Sequence, residues 1–176
     1  AVDGDACAVG NEIATVAKAL RESGAAEVRQ ATTAEESEAL WEARRNLSPA
    51  LARQGRNRLG EDITVPRSRI PEMVARIREI GRKYDLTIAL HGHVGDGNLH
   101  PGILCDRRDA EQMARVAQAA GEVLAAAVEL GGTLSGEHGI GIFKRQYMPA
   151  ALDPHALAAM ARIKAAFDPC DIMNPG

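Results

Sequence analysis

A turn signal between two apolar segments places a β-hairpin in the middle of this chain. Asp96-Gly97 is a dipeptide that tight hairpin turns favour, and the segments 86–91 and 99–105 on either side are predicted to be its strands. Strands joined by so short a loop must pair antiparallel. The hairpin therefore commits the chain to an antiparallel sheet, against which the other elements have to pack.

Amphipathic helices are predicted on both sides of the hairpin. Ser68 is expected to cap a helix whose apolar residues fall on one face: Ile70, Met73, Val74, Ile77 and Ile80. An alanine-rich helix is expected over 109–130, where two glycines follow it. The same periodicity predicts three further helices: 7–23, 33–47 and one that begins at Asp153.

Local signals mark the ends of these elements and the segments between them. Thr33 and Glu36 form a capping-box pattern at the start of the second helix, which Pro49 is expected to help end. No apolar period survives over 53–60, so this stretch is predicted to be a loop. Short strands are expected at three further places: residues 1–4, 26–31 and 62–65.

The order of these elements predicts an α+β domain with helices packed on one face of a mostly antiparallel sheet. A length of 176 residues suits a single domain over 1–176 whose core needs no disulfide or structural metal. Only five residues are aromatic, so the core is expected to rely on closely packed alanine and aliphatic side chains. The chain opens with AVDGD and no initiator methionine, which indicates a piece of a longer protein.

Composition excludes several classes of partner. A formal net charge of −3 gives no broad electrostatic attraction to nucleic acid or to an anionic membrane. The chain has no run of 18 apolar residues, so no membrane span is expected. Three widely spaced cysteines without a CxxC pair argue against a disulfide framework and favour a reduced, cytoplasmic setting.

Four of the five histidines lie in two glycine-rich segments, HGHVGDGNLH over 91–100 and SGEHGIG over 135–141. A four-residue hairpin loop over 95–98 would place His93 directly opposite His100. Opposed residues share a face of the sheet with Cβ atoms about 5 Å apart, so both imidazoles can reach one divalent metal ion. The alternative is that these histidines are polar residues beside a turn, or core histidines satisfied by backbone groups.

Glu137 is the natural third ligand for such an ion. Two imidazoles and one carboxylate leave coordination positions open, as a catalytic metal requires, and this set accepts zinc, manganese or iron. On an extended backbone His138 would point away from the ligand set and lie beside the metal as a base. Alternatively, the glycines of this segment serve only a loop that needs positive φ angles.

Arg44 and Arg45 follow Trp41 on the second predicted helix. A guanidinium fork binds a carboxylate through two parallel hydrogen bonds, as recognition of an organic acid requires. A solvated arginine face is the alternative, and the basic stretch as a whole is also suited to docking an acidic partner domain.

Together, GHVGDGNLH, SGEHGIG, WEARRN, EDITVP and DIMNPG resemble one known family, the C-terminal domains of FAD-linked oxidases. This family includes glycolate oxidase and the dehydrogenases of D-lactate and D-2-hydroxyglutarate. The resemblance covers nearly the whole chain, and the two histidine motifs are specific in combination. It implies a ferredoxin-like α+β scaffold that caps the flavin ring and binds substrate, while the protein's own N-terminal domain holds most of the FAD.

The resemblance also implies roles for individual residues. On the matching positions these are metal ligation by His93, His100 and Glu137, base catalysis by His138, carboxylate binding by Arg44 and flavin contact by Asn174. The implied function is oxidation of a small D-2-hydroxy acid to its 2-keto acid, with metal assistance and hydride transfer to FAD; the isolated chain is expected to be inactive. A non-redox metal-binding or interaction module of the same fold is the alternative, and a hydrolase that uses the metal directly is a third.

Overall fold

The structure of this chain, a computed structural model, describes residues 2, 4–53 and 57–175. It divides into two compact units, 1–49 and 50–176. All β-strands among the described residues belong to the second unit. The second unit therefore contains the sheet and the two histidine motifs.

The first unit contains two helices, α1 (Ala6–Glu22) and α2 (Ala34–Arg45). Asp5 begins α1, since its side chain accepts hydrogen bonds of 3.0 Å from two N–H groups of the first turn. The predicted capping box begins α2: the Thr33 hydroxyl accepts the Glu36 N–H at 3.2 Å, and the Glu36 carboxylate accepts the Thr33 N–H at 3.3 Å. Local side-chain chemistry thus sets both helix starts.

Two strands expected in this unit are wrong for the residues that the structure describes. Residues 26–31 join no sheet, and the charged side chains of Glu27 and Arg29 pair with each other at 2.6 Å. Of the strand expected over 1–4, residues 1 and 3 lie outside the described set, and the other two are not in a strand. The described residues of these two segments pair with no neighbouring strand.

A six-residue helix, α3 (Leu47–Ala52), follows α2. Pro49 was expected to end α2, but Asn46 ends it and Pro49 lies in the first turn of α3. Proline is tolerated there because its missing N–H removes no intrahelical hydrogen bond.

The second unit is built on a four-stranded antiparallel sheet. Its strands are β1 (Asn57–Gly60), β2 (Ile63–Thr64), β3 (Ile88–His93) and β4 (Asn98–Cys105). β4 is central, with β1 and β2 in succession along one side and β3 along the other. A bridge between Thr64 and Thr133 continues the sheet beyond β2. The predicted α+β class is confirmed.

Two helices, α4 (Ile70–Lys83) and α5 (Ala110–Glu129), pack against each other and against one face of this sheet. The core between these layers is built mainly of apolar side chains and alanines. Its members that are at most 1% exposed include Ile63, Met73, Ile77, Ile103, Val116, Ala119, Ala120 and Leu124. Because side chains alternate along a strand, the residues between the core positions of β4 point to the opposite face. That face carries the histidines.

Two expectations about the segment before α4 are wrong. Residues 57–60, expected in a loop, form β1 because the edge of β4 offers them backbone partners over 102–105; residues 54–56 lie outside the described set. Residues 67–69 form a 3-10 turn, so no Ser68 side chain caps α4, and Pro71 occupies its first turn.

The predicted hairpin is present, but the predicted strand pairing differs from the observed one by two residues. His100 pairs with His91, and His93 pairs with Asn98. The loop is 94–97, one residue earlier than expected, because the position that needs positive φ is filled by Gly97 (φ +77°) as the last loop residue. A change of partner by two residues preserves the face of a side chain, so His93 and His100 still lie on the same face.

We expect Gly97→Ala to lower the free energy of unfolding by about 2–4 kcal/mol. An added Cβ would lie 2.1 Å from the carbonyl oxygen of Val65, and the φ of +77° already disfavours a side chain. Gly131→Ala is the matched control, since the φ of Gly131 is +76° but nothing lies within 4 Å of its Cβ position. We expect this variant to lower the free energy of unfolding by about 1 kcal/mol. Urea unfolding measures both, and equal losses would contradict a role for the Val65 contact.

The chain after α5 is largely helical, with α6 (Gly141–Lys144), α7 (Met148–Ala151) and α8 (Pro154–Phe167). Asp153 begins α8 as predicted, by accepting the N–H of His155 at 2.6 Å. Three apolar side chains of α8, those of Met160, Ile163 and Phe167, are exposed, with Phe167 at 83%. Residues 168–175 have no regular structure, as expected. Among the described helices, none is long and apolar enough to cross a membrane.

Candidate metal-binding site

Three metal-ligating side chains converge above the face of the sheet that the helices leave free. One donor atom each of His93, His100 and Glu137 lies within 4.8 Å of the other two. The Glu137 Oε1 atom is 3.0 Å from Nε2 of His100 and 3.6 Å from Nε2 of His93. The two imidazole rings stand nearly perpendicular, at 88°, with centroids 5.3 Å apart. We call these three residues the triad.

The sheet brings the two histidines together in spite of the shifted register. His93 ends β3 opposite Asn98, so His100 is its diagonal neighbour on the same face. Diagonal neighbours have Cβ atoms about 7–8 Å apart, which imidazole rings can span when they turn toward each other. His91, directly opposite His100, adds a third ring to this row, with centroids 5.2 Å apart.

Glu137 reaches the sheet because Asp62 holds its loop. Asp62 is fully buried, and its Oδ2 atom accepts hydrogen bonds from the N–H groups of Gly136 (2.9 Å), Glu137 (2.9 Å) and His138 (2.8 Å). The Ser135 hydroxyl donates to the same oxygen at 2.7 Å. One carboxylate oxygen therefore fixes four consecutive residues of the loop.

The other oxygen of Asp62 faces the sheet. Asn98 donates to Oδ1 at 2.6 Å from its Nδ2 atom, which also lies 3.2 Å from the carbonyl oxygen of Ile63. Burial alone would raise the pKa of Asp62, but the N–H groups of His138 and Glu137, together with the Asn98 amide and the Ser135 hydroxyl, lower it below its usual range. Asp62 is therefore a carboxylate at neutral pH.

His100 is the buried member of the triad, 8% exposed. Burial lowers the pKa of its imidazole, and the nearby carboxylates of Asp62 and Glu137 oppose that shift. Its Nδ1 atom is 3.7 Å from Asp62 Oδ1 and has no hydrogen-bond partner among the described residues. A neutral imidazole with its Nε2 facing Glu137 is the form that binds a metal ion.

A buried lysine supports the segment directly before β2, where Asp62 lies. The Lys144 ammonium donates to the carbonyl oxygens of Asp62 (2.6 Å) and Leu134 (2.8 Å). It also lies 3.5 Å from Oε2 of Glu61. Burial raises the pKa of Glu61, and the positive charge of Lys144 counteracts it. Lys144 thus joins the start of β2 to the segment that leads into the Glu137 loop.

His138 lies beside the triad. Its Nε2 atom is 3.8 Å from Oε1 of Glu137, and its ring stacks on that of His100 with centroids 5.2 Å apart and planes at 15°. The side chain is 61% exposed, so the ring is accessible from solvent. Donor atoms of Asp62, His100 and His138 form a second group within 4.8 Å. The structure therefore brings four of the six predicted site residues to one place.

The other two predicted residues, Arg44 and Asn174, are not members of this cluster. Arg44, on α2 of the first unit, lines a groove of about 620 Å³ together with Trp41 and Leu40. It makes no ion pair with the described residues, whereas the adjacent Arg45 pairs with Glu38. Asn174 lies exposed in the C-terminal tail with a φ of +50°.

Three residues of this site were not predicted from the sequence. An aspartate directly before an apolar strand is the signal in the sequence that could have pointed to Asp62, although its burial depends on distant contacts. Asn98 has a weaker signal, as a polar residue next to a hairpin turn. Nothing in the sequence around Lys144 distinguishes it from the chain's surface lysines, because its role depends on contacts with residues far away in sequence.

The whole chain, residues 1–176, matches the family model for the C-terminal domain of FAD linked oxidases. It is 45% identical over 174 residues to glycolate oxidase subunit GlcD of Bacillus subtilis (strain 168), covering 99% of this chain and 37% of that protein. It is 38% identical over 157 residues to glycolate oxidase subunit GlcD of Escherichia coli (strain K12), covering 89% and 32%. It is 31% identical over 167 residues to the probable mitochondrial D-lactate dehydrogenase of Danio rerio, covering 94% and 34%.

The chain spans about a third of the length of these relatives. The match from the first residue to the last includes both histidine motifs and the segment of Asp62 and β2. The expected resemblance is confirmed, and this chain belongs to the family of FAD-linked oxidase C-terminal domains.

Proposed function

We propose that this chain is the substrate- and metal-binding part of a flavin-dependent oxidoreductase that converts a D-2-hydroxy acid to its 2-keto acid. The observation that carries this proposal is the triad, in a chain that matches the FAD-linked oxidase family from end to end. Relatives named glycolate oxidase and D-lactate dehydrogenase support a small 2-hydroxy acid as the substrate class. In this proposal the protein's own N-terminal domain holds most of the FAD.

The donor set of the triad fits a divalent metal ion. His100 offers a neutral imidazole, and Glu137 offers a carboxylate oxygen 3.0 Å and 3.6 Å from the two imidazole nitrogens. Three protein ligands leave positions free for the substrate, and zinc, manganese and iron all accept this set. When bound, such an ion acts as a Lewis acid and lowers the pKa of a substrate hydroxyl.

In the proposed reaction His138 is the general base. Its exposed ring borders the triad, and the hydrogen bond from its N–H to Asp62 holds its backbone in place. The substrate hydroxyl gives its proton to the Nε2 atom of His138 as the hydride leaves the α-carbon. FAD, when bound, supplies the hydride acceptor.

Arg44 and Asn174 complete the proposal. Arg44 holds the substrate carboxylate, supported by its match to the family motif and by a guanidinium without an ion pair among the described residues. Asn174 contacts the flavin ring, supported by its place in the closing NPG of the family pattern. Both roles require the flavin domain to be present, so they are tested only in the full-length protein.

We expect His138→Asn to lower kcat for a D-2-hydroxy acid by about 10²–10⁴-fold, the usual contribution of a general base. The metal content should not change, because the triad is intact. The matched control is His155→Asn, which replaces an exposed histidine on α8. It should leave kcat and the metal content unchanged. A variant that lost its metal but kept its turnover would contradict the assignment.

Anaerobic mixing of the full-length flavoprotein with D- and L-2-hydroxy acids tests the function itself. We expect the D-acid to bleach the oxidised flavin absorbance and the L-acid not to do so. A full-length protein that binds metal at the triad but is not reduced by any 2-hydroxy acid would contradict the proposal. It would favour a non-redox metal-binding module of the same fold.

A further inference from the structure

An arginine outside the family motifs lies on the same face of the sheet as the triad. Arg58 is on β1 opposite Leu104 of β4, and Gly60, two residues further, is opposite Gly102. Side chains two residues apart on a strand share a face, so Arg58, Gly102 and His100 all belong to the histidine face. The row of polar residues on this face therefore extends beyond the histidines.

The guanidinium of Arg58 extends along the sheet toward the triad. A Cβ built on Gly102 would lie 2.7 Å from Cδ of Arg58, so the stem of the side chain lies directly on this glycine. A Cβ on Gly60 would lie 3.7 Å from the Nη2 atom. The side chain thus starts beside Leu104 and reaches the level of Gly102. His100 is the next residue of β4 on this face, about 7 Å along the strand.

This guanidinium has no partner within the described part of the chain. Its Nη1 atom is shielded from solvent and makes no hydrogen bond, and Arg58 forms no ion pair there. Glu61, the acidic residue nearest in sequence, lies against Lys144 at 3.5 Å. A buried N–H group of a permanent cation without an acceptor is costly, so a native fold provides an acceptor from outside the described residues.

Two glycines make room for the side chain of Arg58 on this face. Gly60 and Gly102 have no side chains, so Arg58 lies over bare backbone where larger residues would fill the face. A ligand that pairs with this guanidinium would lie beside His100, on the same face of the sheet. A planar guanidinium pairs best with a carboxylate, through two parallel hydrogen bonds.

We infer that Arg58 binds a carboxylate of the organic acid whose hydroxyl end lies at the triad. This inference rests on the proposed function and adds a residue that the family motifs do not assign. The carboxylate is either the one next to the reacting carbon or a second one at the far end of a diacid. In both cases Arg58 contacts the substrate and sets which acids bind.

Substrate binding by Arg58→Gln in the full-length flavoprotein tests the inference. With D-lactate as the monoacid and D-2-hydroxyglutarate as the diacid, we expect KM to rise about 10–100-fold, as for loss of a charge-assisted hydrogen-bonded pair. A rise for both acids identifies the carboxylate next to the reacting carbon. A rise for the diacid alone identifies the distal one. An unchanged KM for both would overturn the inference.

Two further variants separate binding from folding. Arg78→Gln, an exposed arginine on α4 at the other face of the sheet, is the matched control and should leave KM unchanged. Arg58→Lys keeps the charge without the fork and should give an intermediate KM. If Arg58→Gln lowers Tm or the metal content, its KM does not separate binding from folding, and Arg58→Lys is used instead. A wild-type KM in Arg58→Lys would then overturn the inference.

A binding measurement without turnover keeps this inference separate from the proposed function. Pyruvate and 2-oxoglutarate are the keto acids of the same two substrates, and their Kd can be measured by calorimetry on the wild-type and Arg58→Gln proteins. A weaker Kd in the variant supports the inference even if the wild-type protein oxidises neither hydroxy acid. Equal Kd values for both keto acids would overturn it even if oxidation proceeds.

Discussion

Asp62→Asn should lower the free energy of unfolding by about 3–5 kcal/mol, the loss typical of breaking a buried charged network. The carboxylate accepts four hydrogen bonds on Oδ2 and one on Oδ1. An amide cannot replace it, because its NH₂ group would face either the N–H groups of the loop or the Nδ2 atom of Asn98. Urea unfolding of the two proteins at pH 7 measures the difference.

The pH dependence of the same variant should show that the negative charge of Asp62 causes this stabilisation. The pKa of Asp62 is lowered in the folded state, so its stabilisation is present above the unfolded value of about 3.9 and is lost as the pH falls below it. The gap between wild type and variant should be constant from about pH 5 to pH 8 and narrow below about pH 4. A gap independent of pH would contradict this explanation. Asp85→Asn, an exposed aspartate, is the control and should change stability by less than about 0.5 kcal/mol.

Glu137→Gln should weaken metal binding by the full-length protein at least about 100-fold. Loss of a supporting residue around a metal already costs about 10–100-fold, and Glu137 is the one carboxylate of the triad. Competition with a chromophoric chelator measures the affinity of wild type and variant. The free energy of unfolding of the metal-free protein should change little, because Glu137 is exposed and its backbone N–H to Asp62 remains.

Two controls locate the ion within the cluster of polar residues. Glu79→Gln, an exposed glutamate on α4, should leave the metal affinity unchanged. His91→Gln tests the histidine row itself, since His91 is opposite His100 but outside the triad. We expect wild-type affinity for that variant. A larger loss in His91→Gln than in Glu137→Gln would place the ion away from the triad.

The parts of the fold that local chemistry controls could be predicted from the sequence. The Thr33 capping box, the Asp153 helix start and the hairpin around Gly97 all depend on residues next to one another. The shared face of His93 and His100 was predicted correctly even though their pairing was not. Side chains along a strand alternate between its two faces, so a pairing that is wrong by two residues still assigns each side chain to the correct face.

The remainder depends on distant contacts that a local pattern does not contain. Residues 57–60 show no strand pattern, and they form β1 only because β4 offers an edge. Asp62 is 73 or more residues from the loop it holds, so its burial and its hydrogen bonds follow from tertiary structure alone. Lys144 reaches Asp62 across 82 residues. Each of these contacts exists only once the sheet has assembled.

X-ray absorption spectroscopy of the metal in the purified full-length flavoprotein tests the central claim most directly. The triad predicts two imidazole nitrogens at about 2.0–2.1 Å, with the other ligands all oxygen. The same spectrum of Glu137→Gln, loaded with excess metal, should keep both imidazole nitrogens, because this variant removes only the carboxylate. Sulfur in the coordination shell, or a wild-type spectrum without imidazole, would contradict the assignment of the metal to His93, His100 and Glu137.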